Sequence, residues 1–141
     1  EPANRLALPR LEVFPYRLYP VANQIADKVI ATIAEYRGQP SSREKDLVDL
    51  VVLALTQTVS AVEVRDAIIT ECRLRRLPVP TGFAVPTTWG ASYTKLAAGT
   101  APAAEYRSVE AAMGLMRRFL DPVLAGTARR VWDPGTLEWI E

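Results

Sequence analysis

Lys28, Asp46 and Asp49 are the residues whose types and spacing most suggest chemistry. Asp46 and Asp49 stand three apart, which puts both carboxylates on one face of a helix. Asp49 lies between Val48 and Leu50 in the most apolar run of the chain, residues 47–55, where an unpaired carboxylate is costly to bury. Lys28 follows Ile25 by three, near the edge of an earlier apolar stripe. Two antiparallel helices joined by a short turn around Gly38 and Pro40 would bring Lys28 toward Asp46 or Asp49. The site would then be an amine held among acids. A structural reading stands beside this one. Asp46 in a first turn favours the helix dipole, Lys45 and Asp49 form an i,i+4 pair, and Lys28 can snorkel at the surface.

Composition narrows what else is available. The 141-residue chain has no histidine, which removes Ser-His-Asp and Cys-His catalysis, His-ligated metals and a histidine base. Its single cysteine, Cys72, can form neither an internal disulfide nor a thiolate metal cage, and its position on the face of Val64 and Ile68 reads as core. Any chemistry must use carboxylates, Lys, Arg, hydroxyls or Tyr. Seventeen basic residues against sixteen acidic ones give a net +1, so bulk charge is no argument for nucleic acid or membrane. No apolar run approaches a membrane span and no signal-peptide pattern opens the chain, which makes a reducing cytoplasm the expected compartment.

Helical periodicity places these residues on elements. Residues 21–37 carry Ala22, Ile25, Ala26, Val29, Ile33 and Tyr36 at helical spacing, and Gly38 and Pro40 end the element. Ser41 with Glu44 reads as a capping box for a helix over 42–58, apolar on nearly every side and therefore central. Ser60 with Glu63 opens another, to about Arg76, with Val59 and Val64 as a hydrophobic staple. A loop with three prolines covers 77–86. A short helix follows to Ala98, from Thr87 or Thr88, then a longer one over 108–125 with Ala111, Ala112, Leu115, Met116, Phe119 and Leu120 inward. Pro122 would bend its end and Gly126 stop it. Trp132 and Trp139 anchor a tail of coil or a final strand. Four prolines fall in the first twenty residues, and Pro9 and Pro15 bound one short strand at Leu11–Phe14 that must pair with something outside this chain or pack as an extended arm. The expected fold is mainly α, a bundle of about five helices with a short N-terminal strand. Residues 1–20 form an extended arm and 21–141 the helical domain.

The stretch Tyr19-Pro20-Val21-Ala22-Asn23-Gln24-Ile25-Ala26-Asp27-Lys28, followed by Arg43-Glu44-Lys45-Asp46-Leu47-Val48-Asp49-Leu50, resembles the AbiEii/AbiGii-type nucleotidyltransferases, toxins of toxin–antitoxin and phage-defence systems that include the MenT-type enzymes. The resemblance implies a polymerase β-like fold that moves a nucleotide from an NTP, with Mg²⁺, to an RNA acceptor, the tRNA 3′ end in MenT-type members. It implies that Lys28 holds the triphosphate, that Asp46 sits near the acceptor hydroxyl, and that Asp49 supports Lys28, Lys45 or an arginine. Arg43 and Lys45 become candidates for nucleotide or RNA phosphate. It also implies a cognate antitoxin. Such transfer rests on positioning and charge neutralisation, for which a lysine and carboxylates suffice. The family's first motif, a Gly-Ser loop and then Asp-x-Asp that binds the metals, has no counterpart in this sequence. The expectation is therefore the C-terminal lobe of such an enzyme, its α/β N-terminal lobe missing from this chain, with no metal ligand of its own and no activity alone.

The remaining signals are local. Arg73, Arg75 and Arg76 close a predicted helix, where cations favour the dipole; with Arg117 and Arg118, and Arg129 and Arg130, they are candidates for RNA backbone contact. Ser42 with Lys45, and Ser92 with Lys95, match a Ser-x-x-Lys pattern that nothing accompanies. Trp89 with Tyr93 and Lys95 could form a stacking platform, although core packing suits Trp89 better. The rival function is a non-catalytic helical interaction module whose buried charges form a structural network.

Overall fold

A computed structural model describes residues 20–34 and 43–141. The expected strand at Leu11–Phe14, Tyr36 and the Ser41 cap lie outside them. Helix α1 (Val21–Ile33) buries Ala22, Ile25, Ala26 and Val29 of the predicted stripe, with Ile30 beside them, while Ile33 is only half-buried. It stops short of the expected end at 37, because Ala34 is already extended with ψ 146° and Thr32 and Ile33 before it are β-branched. Helix α2 (Glu44–Thr56) packs against α1 on one side and against later helices on others, as its all-round apolarity requires. Leu47, Leu50, Val51 and Ala54 are completely buried.

The start of α2 differs from the expected one. Arg43, at φ −97° and ψ 53°, is the N-cap, so Glu44 is the first helical residue and not the third, as a capping box needs. The Glu44 carboxylate instead accepts a 2.8 Å hydrogen bond from the Ser92 hydroxyl. The second cap is present: in α3 (Ala61–Arg75) Ser60 Oγ accepts from the Glu63 N–H at 3.3 Å, with Val59 and Val64 both buried.

Helix α4 (Ala91–Ala98) begins later than expected and ends at Gly99. A 3-10 turn at Ala103–Tyr106 precedes α5 (Val109–Phe119), capped by Ser108. The single helix expected over 108–125 is two: the chain breaks at Leu120, and α6 (Asp121–Ala125) starts afresh with Pro122 in its first turn. A proline placed deeper would clash with the carbonyl four residues back, so the break lies just before it. Gly126, at φ 78°, closes α6.

The tail does more than dock. β2 (Val131–Asp133) and β3 (Glu138–Ile140) form a hairpin, and β2 also pairs antiparallel with β1 (Val59–Ser60), Val59 opposite Trp132. Among the described residues the result is five helices of eight or more residues, one short helix and a three-stranded sheet. Trp132 is fully buried. Its indole donates to the Ala54 carbonyl at 2.8 Å, satisfying an orphan acceptor in the last turn of α2. Among the described residues no helix is long and apolar enough to cross a membrane.

Candidate functional site

The α1–α2 pair brings the sequence-selected charges together. Lys28 Nζ donates to Asp49 Oδ2 at 2.9 Å and stands 3.6 Å from Asp46 Oδ1. Arg43 Nε lies 2.9 Å from Asp46 Oδ2, and Lys45 Nζ 3.4 Å from Asp49 Oδ2. Helical spacing explains the arrangement: Asp46 and Asp49 share one face of α2, and Lys28 projects from the facing side of α1.

Burial divides the group. The Asp46 side chain is 9% exposed, while Lys28 and Asp49 are about a quarter exposed and Arg43 and Lys45 mostly so. Asp46 Oδ2 accepts no hydrogen bond despite the nearby guanidinium, so that contact is a charge pair whose N–H is misaligned. A buried carboxylate of this kind is held by electrostatics, with an acceptor position left open. Three cations against two carboxylates leave the cluster one positive charge in excess.

Lys28 and Asp49 open onto a cleft of about 270 Å³ with Gln24, Val52 and Leu53. Its size is below the roughly 300–1,000 Å³ of a typical small-molecule pocket. An ammonium has three N–H donors, and Asp49 occupies one. Two larger depressions, about 460 Å³ beside Trp89 and about 420 Å³ beside Pro20, have no Lys or Arg in their walls and present Glu110, or Glu63 and Asp66, instead. The Lys28 cleft differs from both in having a cation in its wall, beside Asp49.

The sequence assigns Gln24 no role of its own, and it sets Ser92 only beside Lys95. Gln24 stands one helical turn before Lys28, so spacing was an available signal. Ser92 ties α4 to the head of α2 through Glu44, a contact between distant segments that spacing does not reveal. Ser92 thus has a structural partner other than Lys95, and Ser42 lies outside the described residues. Trp89 is 5% exposed and Cys72 1%, both core as expected. Burial pushes the Cys72 thiol above its ordinary pKa, with Arg75 opposing and Glu71 adding, which favours the unreactive protonated form. Arg73, Arg75 and Arg76 lie at the end of α3, and Arg117 and Arg118 in the last turn of α5. Among the described residues none of these five is ion-paired with the Lys28 cluster.

The family description "Nucleotidyl transferase AbiEii toxin, Type IV TA system" matches residues 1–133. The chain belongs to the AbiEii family. Neither curated proteins nor solved structures give a match. AbiEii membership makes this a nucleotidyltransferase-class chain of a type IV toxin–antitoxin system, with a nucleotide substrate and an antitoxin as partners.

Mg²⁺, which the family resemblance implies, needs several oxygen donors in near-octahedral array. Here Asp46 and Asp49 face Lys28, Arg43 and Lys45, and among the described residues no group of three His, Cys, Asp or Glu is placed to hold a metal. The AbiEii cluster does not fit Mg²⁺.

Proposed function

We propose that the Lys28 cluster is the phosphate-holding part of an enzyme that transfers a nucleotidyl group from an NTP to an RNA acceptor, the tRNA 3′ end, in the cytoplasm. The observation that carries this reading is the ammonium of Lys28, fixed between two carboxylates at the mouth of a cleft. Lys28 holds the triphosphate through its remaining N–H donors, with Lys45 and Arg43 adding charge at the rim. In the transfer the acceptor hydroxyl oxygen bonds to the α-phosphorus, the bond to the β-phosphate oxygen breaks, and pyrophosphate leaves. Lys28 neutralises charge that grows on the departing group, a contribution made without reorganising solvent. Asp46 orients the acceptor hydroxyl and takes its proton: the hydroxyl displaces the exposed Arg43 and donates to the open position on Oδ2. Asp49 keeps Lys28 in place. Mg²⁺ belongs in this reading to an Asp-x-Asp pair outside the cluster, and no step here depends on it.

The test is transfer of label from α-³²P NTPs to tRNA by the protein expressed from its complete reading frame. Lys28→Ala and Asp46→Ala should each abolish labelling with melting temperature changed by only a few degrees. Labelling at the unsubstituted rate would remove both residues from the site. Absence of labelling in the unsubstituted protein, with lowered stability in the variants, would favour the rival reading of a structural charge network in an interaction module.

A further inference from the structure

Helix α3 ends on a residue whose backbone conformation side chains avoid. Arg76 has φ 56° and ψ 44°, in the left-handed region. The Leu77 N–H bonds the Cys72 carbonyl at 2.8 Å and the Arg76 N–H bonds back toward Arg73, so the turn is held in this form by its own hydrogen bonds. Glycine is the usual residue here because a Cβ is strained. The chain instead places a guanidinium there.

The neighbouring charges differ in how they are used. Arg75 is held by Glu71 at 3.2 Å. Arg73 and Arg76 are exposed and have no acidic partner among the described residues. They stand three apart at the same helix end. Pro78 and Pro80 follow and fix the backbone beyond the turn. Attraction to the helix dipole accounts for cations inside the last turn, such as Arg73. It does not account for the choice of a strained position just beyond it when glycine would close the turn without strain.

We propose that Arg73 and Arg76 grip the phosphate backbone of the RNA acceptor, and that the left-handed turn is retained with arginine because it projects a cation past the end of α3. This rests on the RNA-acceptor reading above. Two unneutralised guanidinium groups supply sequence-independent phosphate contacts, which position an RNA without reading its bases. The exposed Leu74 and Leu77 in the same stretch suit a protein surface, and the test separates the two partners.

The experiment measures tRNA binding by fluorescence anisotropy across a salt series, using the complete protein and its Arg76→Gly, Arg76→Lys and Arg73→Ala variants. Arg76→Gly should melt a few degrees higher, since the strain is gone, yet bind tRNA several-fold more weakly. The slope of log affinity against log salt should fall in magnitude by about one, the signature of a lost phosphate contact. Arg76→Lys should keep most of the affinity. Unchanged affinity and slope in Arg76→Gly, while the unsubstituted protein labels and binds tRNA, overturns this proposal alone. Absence of tRNA binding and labelling in the unsubstituted protein overturns the RNA reading itself. Loss of binding to the purified cognate antitoxin in Arg76→Gly, with tRNA affinity intact, makes the surface a protein-docking one and also overturns the proposal.

Discussion

The aromatic corner beneath the tail and the ionic cluster between α1 and α2 both join segments distant in sequence, but they do so with opposite physics. In the corner, Phe119, Trp132 and Trp139 lie with ring centroids 4.8 to 6.1 Å apart, and both indole N–H groups donate to backbone carbonyls, of Ala54 and Phe119. Every polar atom of those rings has a partner, so burial is favourable and the arrangement has nothing left to bind. In the cluster, Lys28 has donors to spare and Asp46 Oδ2 has an open acceptor position, although that side chain is almost buried. The first region stabilises the domain. The second retains unmet polar capacity at a cleft, as binding requires.

Breaking the corner should have the largest effect. Trp132→Ala removes a fully buried ring and leaves the Ala54 carbonyl unpaired, so denaturant unfolding should show a loss of about 3–5 kcal/mol. Any activity lost with it should follow the unfolded fraction. Lys28→Ala should reverse that pattern: labelling vanishes while stability falls by only about 1–2 kcal/mol, less than for a fully buried pair because the cluster is partly screened by solvent. Equal stability losses in the two variants would erase the distinction between the regions.

A pH series sharpens the contrast from a third position. The buried Tyr93 hydroxyl donates to the Tyr106 carbonyl at 2.8 Å, and burial raises its pKa from 10.0 to about 12. Above pH 10 the unfolded chain releases a proton that the fold retains, so stability falls by about 1.4 kcal/mol per pH unit until the folded pKa is reached. Tyr93→Phe should lose about 1 kcal/mol at neutral pH and lack this part of the alkaline decline, measured by urea unfolding at pH 7 to 11. Ser60→Ala should cost about 1 kcal/mol through the lost α3 cap. Lys45→Ala, at a mostly exposed side chain, should change unfolding free energy by less than about 0.5 kcal/mol. A larger stability effect there would mark the cluster as a structural network.

What could be read from the sequence was local or periodic. The Ser60 cap works because donor and acceptor are three residues apart, and most of the α1 stripe is buried because apolar side chains recur on one face. Lys28 could be matched to Asp46 and Asp49 because two helices and a short turn leave few other ways to place them. The structure puts Asp49 with Lys28 on the cleft wall and Asp46 behind them, an ordering that depends on helix rotation and is invisible in spacing. The Glu44 box was misread because Arg43 leaves the helical region, so α2 starts at Glu44, two residues later than a Ser41 cap requires.

The sequence by itself determined the helical periods, the α3 cap, the stop at Gly126 and the set of charges facing one another between α1 and α2. Each follows from side-chain chemistry acting over a few residues or from a repeating face. Tertiary structure alone decided that Val59 and Ser60 pair with Val131 and Trp132, that Ser92 ties down Glu44, and which carboxylate is buried. A two-residue strand has no period of its own, and a hydrogen bond between remote segments is fixed only when the packing of every intervening element sets their distance.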